Sequence, residues 1–260
     1  AYALLEHEYQ IEIARILRVC SARIRESREL LLPYLERMAE LDTVVARARY
    51  GVRHLCTRPT GLEKGFRILS GRHPMLGKSV VPIRVELADG SSVLLISGPN
   101  AGGKTVSLKT IGLFALMNQF GMCIPADEGS SMQLYSDVFA DIGDDQSIEE
   151  SLSTFSGHMK NISRFTTSAA DDVLVLLDEL ASGTDPEEGS AIAMAVLDHF
   201  IENHSTVVAT THQSALKNYA FSKDGVANAS VSFDPETHRP TYSIILGLPG
   251  ESHALDIAAG

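Results

Sequence analysis

Apolar side chains recur at Ile13, Leu17, Cys20, Ile24, Leu31, Leu35, Met38 and Val45, in steps of three, four and seven. That spacing keeps one stripe on a helix and predicts a helical segment over residues 5–48. Pro33 falls inside the stripe and is expected to kink or split the helix. The segment reads either as a helix packed on its own domain or as a long lever joining this body to missing domains. Residues 51–72 show no sustained period and read as irregular.

From residue 80 the texture changes. VVPIRVEL (80–87) and SSVLLIS (91–97) read as strands separated by the turn signal ADG. Residues 104–120 read as a helix and VFADI (138–142) as a short strand. A helix is expected from near Thr154, with Phe155, Met159, Ile162 and Phe165 on one face. DVLVLLDE (172–179) and TVVATT (206–211) are continuous aliphatic runs of the kind buried on both faces of a parallel sheet. Residues 185–203 separate them as a helix. Residues 225–247 read as a β-hairpin. Strands alternating with helices indicate an α/β domain with a mostly parallel sheet. The expected division is a helical segment over 1–50 and the α/β domain over 51–260.

The chain has 260 residues and a net charge of −11. Residues 1–50 carry eight basic and eight acidic residues, so the whole excess lies in the α/β part. An acidic body is a poor surface for nucleic acid, whose phosphates would find their contacts elsewhere in a longer protein. No apolar run approaches the roughly 20 residues of a membrane helix, and no secretory signal pattern opens the chain. Cys20, Cys56 and Cys123 form no CxxC pair, which supports neither a disulfide framework nor a zinc site and favours a cytoplasmic home. The helical pattern is already under way at the first residue, and ESHALDIAAG at the end reads as a helix cut short. The sequence therefore reads as a piece of a longer protein.

The candidate chemistry starts at residues 98–105, GPNAGGKT. Gly98, Gly103, Lys104 and Thr105 fit the spacing of a phosphate-binding loop, and a strand precedes it and a helix follows. Glycines let backbone N–H groups turn around phosphate oxygens, and the helix N-terminus adds partial positive charge. Lys104 would reach the β- and γ-phosphates of a bound nucleotide and Thr105 would bind Mg²⁺. DVLVLLDE ends in Asp178 and Glu179, at the strand edge where α/β sheets place their chemistry. Asp178 suits a Mg²⁺ ligand and Glu179 a general base for water. In SGTDPEEG, Asp185 reads as a helix N-cap with Pro186 first in the helix and Glu187 and Glu188 in its first turn. His212, at the end of TVVATT, would sit beside the γ-phosphate if the strands ending at Ser97 and Thr211 are neighbours.

GPNAGGKT, LLDE, SGTDP, TTHQ, STFSGHM and GRHPML together resemble the ATPase domain of MutS proteins, which belong to the ABC-type ATPases. IPADEGS, FADIGDDQSIEESLSTFSGHM and VANASV resemble the second bacterial branch most. The resemblance covers about residues 60–260, and residues 5–50 resemble the lever helix that enters that domain. It implies a P-loop ATPase fold of ABC type, with a mostly parallel sheet, an antiparallel hairpin and a long N-terminal helix. Gly98, Pro99, Asn100, Ala101, Gly102, Gly103, Lys104, Thr105 and Val106 would hold the nucleotide, with Asn100 near the γ-phosphate or the attacking water. Gln146 would couple nucleotide to lever, and His73 and Pro74 would lie near the base. Ser153 would act on the nucleotide of a second copy, with Ser182 to Asp185 running along the dimer interface.

The implied function is ATP hydrolysis by a dimerising domain that drives a protein acting on branched or recombining DNA. Stalled ribosomes are an implied partner in some bacteria. DNA contacts would lie mostly outside this segment, and nuclease activity is not assignable to it, because the Smr nuclease module usual in that branch is absent from these residues. The alternative is an ATP-gated dimerisation module of a mismatch-repair MutS protein. A transport ATPase is disfavoured by the absence of an LSGGQ-type signature and by the long helix.

Overall fold

The computed structural model describes residues 2–87, 89–98, 102–143, 154–180, 182–234 and 239–247. The chain divides into two compact units, Ala1–Tyr50 and Gly51–Gly260.

In the first unit, α1 spans Tyr2–Glu26 and α2 begins at Arg28, running on to Arg53. Neither helix has a buried residue among those described. The stripe residues Leu17, Ile24, Leu31, Leu35 and Met38 are exposed. The interruption lies at Ser27, ahead of Pro33, which sits inside α2. A proline ring crowds the carbonyl four residues before it, so its distortion falls on the N-terminal side. Exposed ion pairs between Glu12 and Arg15 and between Arg37 and Glu40 join residues three apart on one helix face.

The second unit carries two sheets. The larger has six strands in the order β10-β9-β4-β8-β7-β6. Its members are β4 (Val93–Ser97), β6 (Asp137–Asp141), β7 (Val173–Leu177), β8 (Thr206–Thr211), β9 (Val226–Asp234) and β10 (Arg239–Leu246). Every pairing is parallel except that of β9 with β10, the expected hairpin. Strands β4, β7 and β8 are buried along their whole length, which accounts for their unbroken aliphatic sequences.

Alternate residues of these strands serve opposite faces. Val93, Leu95, Val173, Val175, Leu177, Val207 and Ala209 pack with Ile162 and Phe165 of α4 (Thr154–Thr166) and Leu197 and Phe200 of α5 (Pro186–Glu202). Leu216 and Ala220 of α6 (Ser214–Ser222), a short helix that the sequence reading omitted, complete that core. Helix α3 (Lys104–Gln119) packs against β6, β7 and β8. Asp185 caps α5 as expected, accepting the N–H groups of Glu187 at 2.9 Å and Glu188 at 3.2 Å.

The smaller sheet corrects the reading of residues 51–72 as irregular. It consists of β1 (Thr60–Gly61), β5 (Ser131–Met132), β2 (Phe66–Gly71) and β3 (Ile83–Glu86), in the order β1-β5-β2-β3. FRILSG buries Phe66 and Ile68 in alternation, but the run is too short for its period to stand out. The strand expected over 80–87 starts only at Ile83, because Pro82 has no N–H to give a ladder.

Candidate active site

The order β4-β8-β7-β6 brings four parallel strands to a common carboxyl edge. Register pairs Ser97 with Thr211, Leu177 with Ala209 and Asp141 with Leu177. The residues just beyond this edge include Gly98, His212 and Asp178. A crevice at that edge is where open α/β sheets hold ligands.

Gly98 has φ +131°, and a Cβ there would stand 2.5 Å from Cγ2 of Val231, so only glycine fits. Gly103, at φ +90°, precedes α3 and offers no side-chain cap to its first N–H groups. The following residue, Lys104, is 2% exposed, and its Nζ donates to the Gly98 carbonyl at 2.5 Å. Burial holds the Lys104 ammonium below the ordinary lysine range. Glu179 and Asp178 pull its pKa back up, while the buried Lys217 pushes it down. Lys104 is thus a buried lysine whose charge Glu179 and Asp178 favour and burial opposes.

The carboxylates are held by β8. Thr210 Oγ1 donates to Asp178 Oδ1 at 2.5 Å and accepts the Glu179 N–H at 2.8 Å. The Thr210 carbonyl accepts the Leu180 N–H at 3.0 Å, and the Asp141 carbonyl accepts that of Asp178 at 2.9 Å. Glu179 has φ +49°, left-handed for a residue with a Cβ. Such a conformation costs about 1–3 kcal/mol and persists only where the surroundings fix it. Here bonds to β8 fix it on both sides.

Asp178 and Glu179 share a cleft of about 140 Å³ with Thr105, Gly143, His158 and Ser182. Beyond the first turn of α3 lies an apolar cavity of about 360 Å³, lined by Leu76, Val80, Val81, Ile83, Gly103, Val106 and Ser107. The first turn of α3 thus stands between a carboxylate-lined cleft and an apolar one.

His212 is exposed and follows the strand that separates β4 from β7, so the condition set for it, β4 beside β8, is met. It is not among the residues lining the carboxylate cleft. Gln213 anchors its loop, accepting from the Ser190 hydroxyl and donating its own N–H to Thr211 Oγ1 at 3.1 Å. His73 and Pro74 line a separate cavity with Arg53, His54 and Arg72. Burial and the nearby Lys109 hold the His73 imidazole below its usual pKa. Pro99, Asn100, Ala101, Gln146 and Ser153 lie outside the described residues, as does the helix read at 251–260.

The sequence reading did not single out Thr210, Asp141, His158 or the apolar set Leu76, Val80, Val81 and Ile83. For Asp141 a signal was available: a carboxylate directly after the apolar run Val138–Phe139–Ala140, as Asp178 follows the run of β7. His158 Nδ1 bonds the Asp141 carboxylate, which is 7% exposed, and Asn161 Nδ2 donates to its other oxygen at 2.8 Å.

Together the fold and cleft define an α/β domain with a glycine-flanked lysine and paired carboxylates at one sheet edge, an arrangement suited to a phosphorylated ligand and a cation. Residues 94–259 match the MutS domain V family, and the chain belongs to that family of ABC-type ATPase domains. It is similar to Endonuclease MutS2 of Halothermothrix orenii, with 48% identity over 255 residues, covering 98% of this chain and 32% of that one. Endonuclease MutS2 of Halalkalibacterium halodurans is 49% identical over 251 residues, or 96% of this chain and 32% of the relative. That of Clostridium botulinum strain Okra is 49% identical over 249 residues, or 95% and 32%. The chain thus spans about a third of the length of these relatives. These likenesses bear out the resemblance to the second MutS branch.

Proposed function

We propose that this domain binds ATP with Mg²⁺ and hydrolyses it in a site shared by two copies, as the motor of a protein acting on branched or recombining DNA. The observation that carries the reading is Lys104. A buried ammonium held against the Gly98 carbonyl, at the start of a helix without a side-chain cap, suits an anion with several oxygens. The apolar cavity on the far side of that turn suits a base.

The donor set also fits the ion. Among the described residues no three His, Cys, Asp or Glu side chains gather as a metal cage. Mg²⁺ in phosphoryl-transfer sites takes one or two protein oxygens, the rest coming from phosphate and water. Thr105 and Asp178 are such a pair, and Thr210 orients the aspartate. When bound, the ion would neutralise charge on the phosphates. Lys104 would hold phosphate oxygens, and Glu179 would take the proton of the attacking water. Asn100 and His212 are proposed beside the γ-phosphate, and Gln146 as the link to the lever. Ser153 would complete the site of the second copy.

DNA, and ribosomes where they are partners, would be engaged mainly by parts of the full-length protein outside this segment, in the cytoplasm. Among the described residues no helix is long and apolar enough to cross a membrane. The deciding experiment follows ATPase activity against protein concentration, alongside sedimentation with and without ATP. A shared site gives specific activity that rises steeply with concentration. A flat specific activity overturns sharing. ATP-dependent dimers with no phosphate release would instead support a nucleotide-gated dimerisation module of the mismatch-repair kind.

A further inference from the structure

Helix α4 brings His158 and Asn161, three residues apart on one face, to the same carboxylate. Asp141 needs both, because a carboxylate so deeply buried is costly unless its oxygens are bonded. Its main chain meanwhile accepts the Asp178 N–H, so one residue ties α4, β6 and the end of β7 together. Anchoring alone would not require the imidazole to face polar space. Yet His158 lines the cleft of Thr105, Asp178, Glu179 and Ser182, and its side chain is 17% exposed. With Nδ1 committed to Asp141, Nε2 is the ring atom left for the cleft. A carboxylate on one imidazole nitrogen fixes tautomer and ring orientation for work at the other.

We propose that His158, oriented by Asp141, is a further residue of the hydrolytic cleft, where Nε2 hydrogen-bonds the water that Glu179 activates. The proposal rests on the reading of this cleft as an ATP-hydrolysing one. In the step it serves, the water oxygen bonds to the γ-phosphorus, the bond from that phosphorus to the bridging oxygen breaks, and the water proton passes to Glu179. His158 holds the water and keeps its own proton on Nδ1.

The test compares His158→Asn and His158→Gln in the full chain. The asparagine amide stands near Nδ1, keeping the bond to Asp141 and deleting the cleft atom. The glutamine amide reaches the Nε2 position. His158→Asn should lower turnover at saturating ATP about 100-fold, the scale of losing a group that positions a reactant, with ATP affinity and Tm near wild type. His158→Gln should recover at least a tenfold part of the loss. Independently of turnover, the ¹⁵N resonance of His158 Nε2 should move when ADP, vanadate and Mg²⁺ are added. Wild-type turnover in His158→Asn, or an unmoved Nε2 resonance, would show that the pair only anchors α4 and would overturn the proposal. A fall in Tm with unchanged turnover would do the same. Lys104→Ala separates this outcome from failure of the underlying reading. If nucleotide binding in wild type does not depend on Lys104, the cleft itself is misread. If it does and His158→Asn is fully active, only the role of His158 falls.

Discussion

The hydroxyl of Thr210 donates to Oδ1 of Asp178 at 2.5 Å while accepting the N–H of Glu179 at 2.8 Å. One buried side chain on β8 therefore sets the aspartate's orientation and the backbone of the glutamate that follows. Thr210→Val keeps the shape but removes both bonds, leaving a peptide N–H and a carboxylate oxygen without them. The expected destabilisation is about 1–3 kcal/mol in urea unfolding, with turnover falling more than ATP binding. Thr210→Ser keeps the hydroxyl and should restore most of both. Equal behaviour of the valine and serine variants would remove Thr210 from the site.

Glu179→Gln keeps side-chain size and the left-handed backbone while removing the proposed base. Turnover should fall about 10²–10⁴-fold, with ATP binding by equilibrium titration within a few-fold of wild type. Turnover left at the wild-type level would reject the role given to Glu179.

Lys104→Met should abolish nucleotide binding without harming the empty fold. Burial lowers the folded-state pKa of Lys104 below its unfolded value near 10.5. Between those two values the unfolded chain binds more protons, so this group makes stability rise with pH. Its destabilising contribution is complete below the folded-state pKa and vanishes as pH passes 10.5. The variant should therefore match or exceed wild type in unfolding free energy at neutral pH, and the difference should shrink as pH approaches 10.5. A difference that widens over that range contradicts the assignment.

Asp185→Ala removes the side chain that caps α5. A loss of about 1 kcal/mol is expected in urea or thermal unfolding. Asp185→Asn, which keeps a capping oxygen, should recover most of it. If Asp185→Asn instead restores stability but lowers activity as much as alanine does, Asp185 has a role beyond the cap.

The parts of this protein legible in sequence are those in which a residue's role depends on its chain neighbours. The aliphatic runs of β4, β7 and β8, the cap of α5 and the strand–loop–helix around Lys104 are all of this kind. The smaller sheet was missed because β1 and β5 are two residues each, with no period to read. Helix α6 is nine residues long and barely exceeds two turns. The break expected at Pro33 came at Ser27, six residues earlier, while Pro33 and Glu29, whose carbonyl its ring crowds, both sit inside α2.

By itself the sequence determined which residue types stand at the ends of the strands: a lysine and threonine after β4, two carboxylates after β7, a histidine after β8. It determined the local geometry that glycine and capping residues impose. Only the tertiary structure decided that β8 lies between β4 and β7, which makes Thr210 the clamp on Asp178 and Glu179. Only it decided that His158, from a separate helix, meets Asp141 at the edge of the same cleft. The alternation of side chains along a strand states which face each residue serves, but not which strand lies beside it. That choice is made by the packing of whole helices against whole sheets, through contacts dozens of residues apart in the chain.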